Sequence, residues 1–309
     1  VAEWSPEVVV DERLAARLIG AQFPDLGGVP VRRFASGWDN AVFSVGDDLV
    51  FRFIHRAVAL GGSAREIAVL RHLPAMPLPV PRPHYLGRPT PEFAWPFWGG
   101  PRLHGTELAT ARLADDERAP LATALGRFLR ALHAPDVASA VTAGSALDGV
   151  VLPVDPLRRG DPSSVVVRAR ERLARMRAAG TRLPCDAVED LLRGSEHLGA
   201  PTREPVLVHG DLHVRHLLVD ADGGAAGVID WGDTALADPA VDLMIAFAAF
   251  RGAARQAFLD AYGGLDDETA LRARVLAVHV CAALLESADA HDDALVAEVT
   301  TAVDRVLAD

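Results

Sequence analysis

Two short apolar runs, "HLLVD" at 216–220 and "GVIDW" at 227–231, flank the segment "ADGGAA". An Asp-Gly-Gly turn between β-branched and aliphatic segments is a strong hairpin signal. Symmetric pairing about Gly223 sets residue 216 opposite residue 230, give or take one. The fold itself therefore brings His216 and Asp230 to neighbouring positions. Asp211 stands upstream, in the polar loop of "VHGDLHVRHLLVD" (208–220) that feeds the first arm of the hairpin. Three polar groups converge on one point among apolar neighbours. That arrangement suits a divalent cation together with a proton acceptor.

Other readings of the same residues compete. His209, His213 and His216 have a spacing, H-x3-H-x2-H, that zinc could use. A loop-to-strand setting lacks the regular helix face on which such triads often sit. The preferred reading has His209 bracing the loop backbone and His213 exposed or facing a substrate. Asp233, in "DWGDT", is either a third carboxylate near a metal or a solvated loop residue, and the second is preferred.

The rest of the chain changes texture partway along. The first third reads as a helix at 11–24, three short strands within 29–54 and a helix at 61–73. The proline-rich "PAMPLPVPRP" follows as a loop, then the strand-like "EFAWPFWGGPRLHG". From residue 106 onward helical periodicity dominates, beginning with "DERAPLATALGRFLRALHAP" and "SVVVRARERLARMRAAG" and closing with four helical stretches after the hairpin. A β-rich front and a helical back predict an α+β fold in two lobes, residues 1–104 and 105–309, with the hinge near Gly99 to Gly105. At 309 residues the chain is long for one core and comfortable for two.

Charge and cysteine content narrow the function classes. With 31 basic against 42 acidic side chains the net charge is -11, which disfavours nucleic acid as a partner. The two cysteines, Cys185 and Cys281, are far apart and form no CxxC, so a disulfide framework is not expected. The opening residues carry no basic, apolar leader pattern and no apolar run reaches membrane-spanning length, so a cytoplasmic location without membrane contact is the expectation.

In series, "HGDLHVRHLLVD", "GVIDWGD" and "DPAVDL" resemble the signature of the aminoglycoside/macrolide phosphotransferase family, small-molecule kinases of protein-kinase-like fold. The resemblance continues upstream through "SGWDNAVFSVGDDLVFRF", "AREIAVLRHL" and "LGRFLRALH" and so covers most of the chain in order. It implies Asp211 as catalytic base or substrate-orienting carboxylate and Asp230 as main metal ligand, with Asp238 and Asp242 bracing the lobe. It also implies a nucleotide-covering turn at Ser36 and Gly37, and Arg52 held by Glu66 as the cation on the phosphates. Backbone groups near Pro101 and Leu103 would hold the base in a cleft between the lobes. The implied reaction moves the γ-phosphoryl group of ATP or GTP, with magnesium, to a hydroxyl of a small molecule. An aminoglycoside stands slightly ahead of a macrolide as acceptor. A metabolite kinase, or an inactive nucleotide-binding scaffold, is compatible with the same motifs.

Two positions depart from the family pattern. The chain has no lysine, so Arg52 occupies the usual lysine position, with Arg56 as a rival for the phosphates. Arginine keeps the charge and grips phosphate oxygens with a planar fork. His216 stands where the family's loop usually has asparagine. Imidazole suits magnesium less well than oxygen does, which implies a loosely held or water-bridged ion and tolerance of manganese. Trp38, Trp95 and Trp98 are read as packing residues.

Overall fold

A computed structural model describes residues 6–37, 39–181, 183–288 and 292–308; Trp38, in the "SGWDN" turn, lies outside them. The chain forms two compact units that are not single stretches: residues 1–73, 80–103 and 143–151 make the first, and 74–79, 104–142 and 152–309 the second.

The first unit opens with helix α1 (Glu12–Gln22), capped by Asp11, whose side chain accepts a hydrogen bond from the Leu14 amide at 2.7 Å. Strands β1 (Val31–Ser36), β2 (Asn40–Val45) and β3 (Leu49–Ile54) follow as an antiparallel meander, then helix α2 (Leu60–His72). Strands β4 (Tyr85–Gly87) and β5 (Phe97–Pro101) complete a sheet of order β1-β2-β3-β5-β4. Period-two alternation turns Phe43, Phe51 and Phe53 to one face, where they pack with Phe93, Phe97 and the α1 residues Leu18 and Ile19. Phe53 stacks on Phe97 with ring centroids 4.6 Å apart. Each fully buried phenylalanine contributes about 1.5–3 kcal/mol, so this aromatic layer, rather than any ion pair, holds the sheet together. Arg52, between Phe51 and Phe53, is thrown to the other face.

The second unit is mostly helical. Helix α3 (Ala119–Leu132) is followed by α4 (Pro135–Leu147), whose last turn belongs to the first unit. Helices α5 (Pro162–Ala178) and α6 (Cys185–Gly194) precede the region that carries the candidate site. There, β6 (Thr106–Glu107) pairs with β8 (Leu217–Val219), and β8 forms the expected hairpin with β9 (Ala225–Val228). Strands β7 (Val206–Val208) and β10 (Ala235–Ala237) pair antiparallel on either side of it in sequence. Helix α7 (Ala240–Ala249) is buried along its whole length, and α8 (Gly252–Tyr262), α9 (Asp267–Ser287) and α10 (Asp293–Leu307) surround it. Both cysteines are buried free thiols, and no described helix is long and apolar enough to cross a membrane.

Candidate active site

Strand β7 delivers the chain into the loop 209–216, and the first two residues of that loop are fixed from below by a carboxylate on α7. Asp242, fully buried, accepts from the His209 amide at 2.7 Å and from the Gly210 amide at 3.0 Å. It also takes His133 Nε2 at 3.2 Å, whose Nδ1 meets the Tyr262 hydroxyl at 3.0 Å. Burial pushes the Asp242 carboxyl up, but the His133 bond and the amides outweigh it and hold it below the usual carboxylate range. Asp238 does a more local job and caps α7 through the Ala240 amide at 2.9 Å. Gly210 has φ +91°, and a Cβ there would lie 2.2 Å from the Asp233 carbonyl oxygen, so only glycine fits.

His209 is the brace anticipated from its position. Its Nδ1 accepts from the Asp211 amide at 3.3 Å, so its Nε2–H donates to the Ile229 carbonyl at 2.9 Å. Both ring nitrogens are committed, which removes His209 from any zinc triad. Among the described residues, one group of three has possible ligand atoms all within 4.8 Å of one another, Asp211, His213 and His216, without His209. His213 is buried rather than exposed, and its ring stacks on His216 with centroids 3.9 Å apart.

The hairpin brings His216 and Asp230 together with a one-residue correction. Leu217 faces Val228, so His216 faces Ile229, whose amide donates to the His216 carbonyl at 3.0 Å. Asp230, the next residue, has φ +66°, a left-handed conformation uncommon for a side chain of its kind. Trp231 locks that turn: it is fully buried, its Nε1–H donates to the Val228 carbonyl, and its ring packs on His209 and Phe128.

His216 Nδ1 lies 2.8 Å from the Asp211 carbonyl oxygen, which can only accept, so Nδ1 carries the proton. In the neutral ring Nε2 then presents a lone pair towards Asp230 Oδ2, 3.7 Å away. Two electron-rich atoms aimed at one gap favour a cation between them, which His216 and Asp230 would hold. The donor set therefore fits a divalent metal held by one nitrogen and carboxylate oxygens.

The Asp211 carboxylate stands beside this gap, about one quarter exposed. Arg159 Nη2 lies 3.3 Å from its Oδ1, while Arg159 Nη1 bonds Asp233 at 2.9 Å and the Gly210 carbonyl. Asp233 is thus a partly exposed turn residue, as the preferred reading had it, and is also anchored by an ion pair with Arg159. Burial pushes the Arg159 guanidinium down, but Asp211, Asp233 and Asp155 more than offset it and hold it above its ordinary value. Sequence reasoning missed Arg159; its signal was the polar "RRGD" at 158–161, in a loop where Asp155 and Arg158 both take positive φ.

In the first unit, Arg52 and Glu66 form the expected pair, Nη1 to Oε1 at 2.5 Å with Glu66 buried. The Arg52 guanidinium also lies over the Trp98 ring, 5.7 Å from its centroid. Arg56 bonds Asp39 at 2.9 Å. Ser36 ends β1 exposed and takes an Arg33 bond at 3.2 Å, and the Gly37 amide donates to the Asn40 carbonyl at 2.9 Å. Pro101 ends β5 exposed and Leu103 is half-buried just beyond it.

Burial sets a pH dependence on the second unit. It holds His209 and His213 below the ordinary imidazole value, and with the nearby Arg168, Arg172 and Arg159 it lowers His279 to about 4. A histidine whose folded pKa lies below its unfolded one gives stability that is complete above about 6.5 and lost as pH falls. His279 alone is expected to cost about 2 kcal/mol between pH 7.5 and 5. Urea midpoints should fall across that window, and His279→Gln should flatten the fall; a midpoint independent of pH would contradict the burial of these rings.

A model described as the phosphotransferase enzyme family matches residues 30–276. Among solved structures, an aminoglycoside 2′-phosphotransferase in its GDP complex is 23% identical with a TM-score of 0.69, covering 97% of this chain and 99% of that one. The macrolide 2′-phosphotransferase MphH from Brachybacterium faecium is 23% identical with a TM-score of 0.56, covering 96% and 97%. An uncharacterized protein of Bacillus subtilis (strain 168), YcbJ, is 46% identical over 39 residues, a match spanning 13% of each chain. The fold is accordingly the protein-kinase-like α+β arrangement.

Proposed function

The chain belongs to the phosphotransferase enzyme family, and from that membership we propose that it moves the terminal phosphoryl group of ATP or GTP to a hydroxyl of a small molecule. The observation that carries this reading is the gap that His216 Nε2 and Asp230 Oδ2 face together, 3.7 Å apart, beside Asp211.

Asp211 is the base. Its carboxylate takes the proton of the acceptor hydroxyl as that oxygen bonds to the terminal phosphorus and the nucleoside diphosphate departs. Arg159 keeps the carboxylate turned to one rotamer. A divalent cation, held by Asp230 and His216, would neutralise charge on the phosphates. Arg52, fixed by Glu66, is the cation proposed for the same phosphates, with Ser36 and Gly37 as the covering turn and backbone groups near Pro101 and Leu103 for the base. GTP stands beside ATP as donor because the aminoglycoside relative was solved with GDP. The relatives' names make aminoglycosides, then macrolides, the first acceptors to test.

The test is release of ADP or GDP from the full chain with magnesium or manganese and a panel of hydroxylated antibiotics and sugars. Turnover with at least one acceptor is expected, with manganese supporting it at least as well as magnesium because imidazole suits manganese better. Asp230→Asn should remove the metal-supported rate. Nucleotide binding without transfer to any acceptor would leave a binding scaffold, and stoichiometric zinc in the purified protein would point to a hydrolase.

A further inference from the structure

The second unit gathers arginines around Arg159, the partner of Asp211, and its carboxylates do not match them all. Asp155 spends Oδ1 on the Arg159 amide at 2.7 Å and Oδ2 on the Gly160 amide at 2.9 Å. Asp161 caps α5 and takes Arg158 at 2.5 Å. Glu286 takes Arg172 and also Arg175, the latter at 2.7 Å. Asp211 and Asp233 share Arg159. Arg168 is left with two backbone carbonyls, those of Ser164 at 3.2 Å and Arg158 at 3.4 Å, and among the described residues no carboxylate lies within 4.0 Å of it.

Its neighbours sharpen the imbalance. Arg168 and Arg172 are one turn apart on the same face of α5, and α9, which packs along α5, brings His279 beside them. Burial and then Arg159, Arg158 and Arg172 hold the Arg168 guanidinium below its ordinary value, opposed by Asp155. Two further nitrogens are buried with no partner: Arg172 Nε, a donor, and His279 Nδ1, a donor or an acceptor according to the ring's tautomer. A half-buried cation among cations, next to an unmet guanidinium donor, is costly unless an anion joins it. The chain as a whole is acidic, at -11, so this surplus is local.

We propose that Arg168, with Arg172 and His279, receives an anionic oxygen group of the acceptor, a carboxylate or a phosphate ester, while Asp211 faces the acceptor's hydroxyl. The proposal rests on the reading of Asp211 as the base. It moves the acceptor away from the aminoglycosides that the relatives' names put first in the panel, because the same arginines repel a polycation. An acid-bearing polyol or sugar fits both ends of the site.

The experiment uses the full chain saturated with ADP and Mg2+, which fills the donor's α- and β-phosphate positions, and titrates it calorimetrically with sulfate at constant ionic strength; dependence on Arg168 separates the proposed seat from the open terminal-phosphate position. Saturable sulfate binding is expected, weakened at least tenfold in Arg168→Gln and unchanged in Arg130→Gln, an exposed arginine on α3. Glucuronate or glucose 6-phosphate should compete with sulfate, the better competitor telling carboxylate from phosphate ester, whereas glucose and kanamycin should not. Absent sulfate binding, binding indifferent to Arg168→Gln, failure of both acids to compete, or displacement by kanamycin would overturn the proposal. Loss of ADP binding by the wild-type chain would instead strike the transferase reading. Intact ADP binding without a sulfate site strikes this inference alone.

Discussion

Replacing Asp211 by asparagine is expected to slow phosphoryl transfer by about 10²–10⁴-fold, the usual worth of general-base assistance. The amide keeps the shape of the side chain but cannot take the hydroxyl proton. The contacts that build the loop survive, because His216 bonds the backbone carbonyl of Asp211 rather than its carboxylate. The ion pair with Arg159 at 3.3 Å is lost, yet Arg159 stays tethered to Asp233 and to the Gly210 carbonyl. ADP and metal binding should therefore stay near wild type while kcat falls. Single-turnover rates together with calorimetric ADP binding separate the two effects. Transfer undiminished by Asp211→Asn would remove this residue from the chemistry.

Asp242→Ala is expected to have the largest effect on stability. The carboxylate is wholly buried and accepts three bonds, from the His209 and Gly210 amides and from His133. Removing it leaves two buried N–H groups without an acceptor and strips the loop of its floor. Breaking a buried, hydrogen-bonded ionic group costs about 3–5 kcal/mol, equivalent to a fall in Tm of roughly 10 °C. Asparagine should not rescue it, since one end of the amide would present hydrogens to a backbone amide. Because the folded pKa of Asp242 is depressed, its contribution is full above the ordinary carboxylate value and lost as pH falls below it. Denaturant midpoints of both variants check this; a loss under about 1 kcal/mol would mean that the loop holds itself up without α7.

Much of the fold was legible because its longer elements carry periodicity. The three strands before residue 55, the helices around 12–22, 60–72 and 119–132, and the hairpin at 217–228 all stand where the patterns set them. The one-residue slip at His216 comes from a turn centred on Asp222 rather than Gly223, with Val219 facing Ala225; the bulge between Leu218 and Val219 takes back part of that offset. Strands β4, β7 and β10 have three residues each, too few to show alternation. Helix α4 is alanine-rich and weakly sided, and α6 is short, so neither announced itself. Within the site, Asp211, His216 and Asp230 were found because local chain geometry unites them. Arg159 and Tyr262 were not, because they arrive from distant segments whose own sequence shows no motif, and His133, though it ends the matched stretch "LGRFLRALH", has a partner on α7 that the stretch itself does not reveal. Arg168 was equally hidden, for its meaning lies in which carboxylates are already taken.

Everything proposed for catalysis turns on an ion seated against a ring nitrogen and a carboxylate that the β-ribbon sets side by side. Manganese in the ADP complex reads that seat directly through electron spin echo envelope modulation. Nitrogen coupling from one imidazole is expected in the wild-type spectrum and absent in His216→Asn, with ADP still bound. A wild-type spectrum of bound manganese without nitrogen coupling would contradict the account.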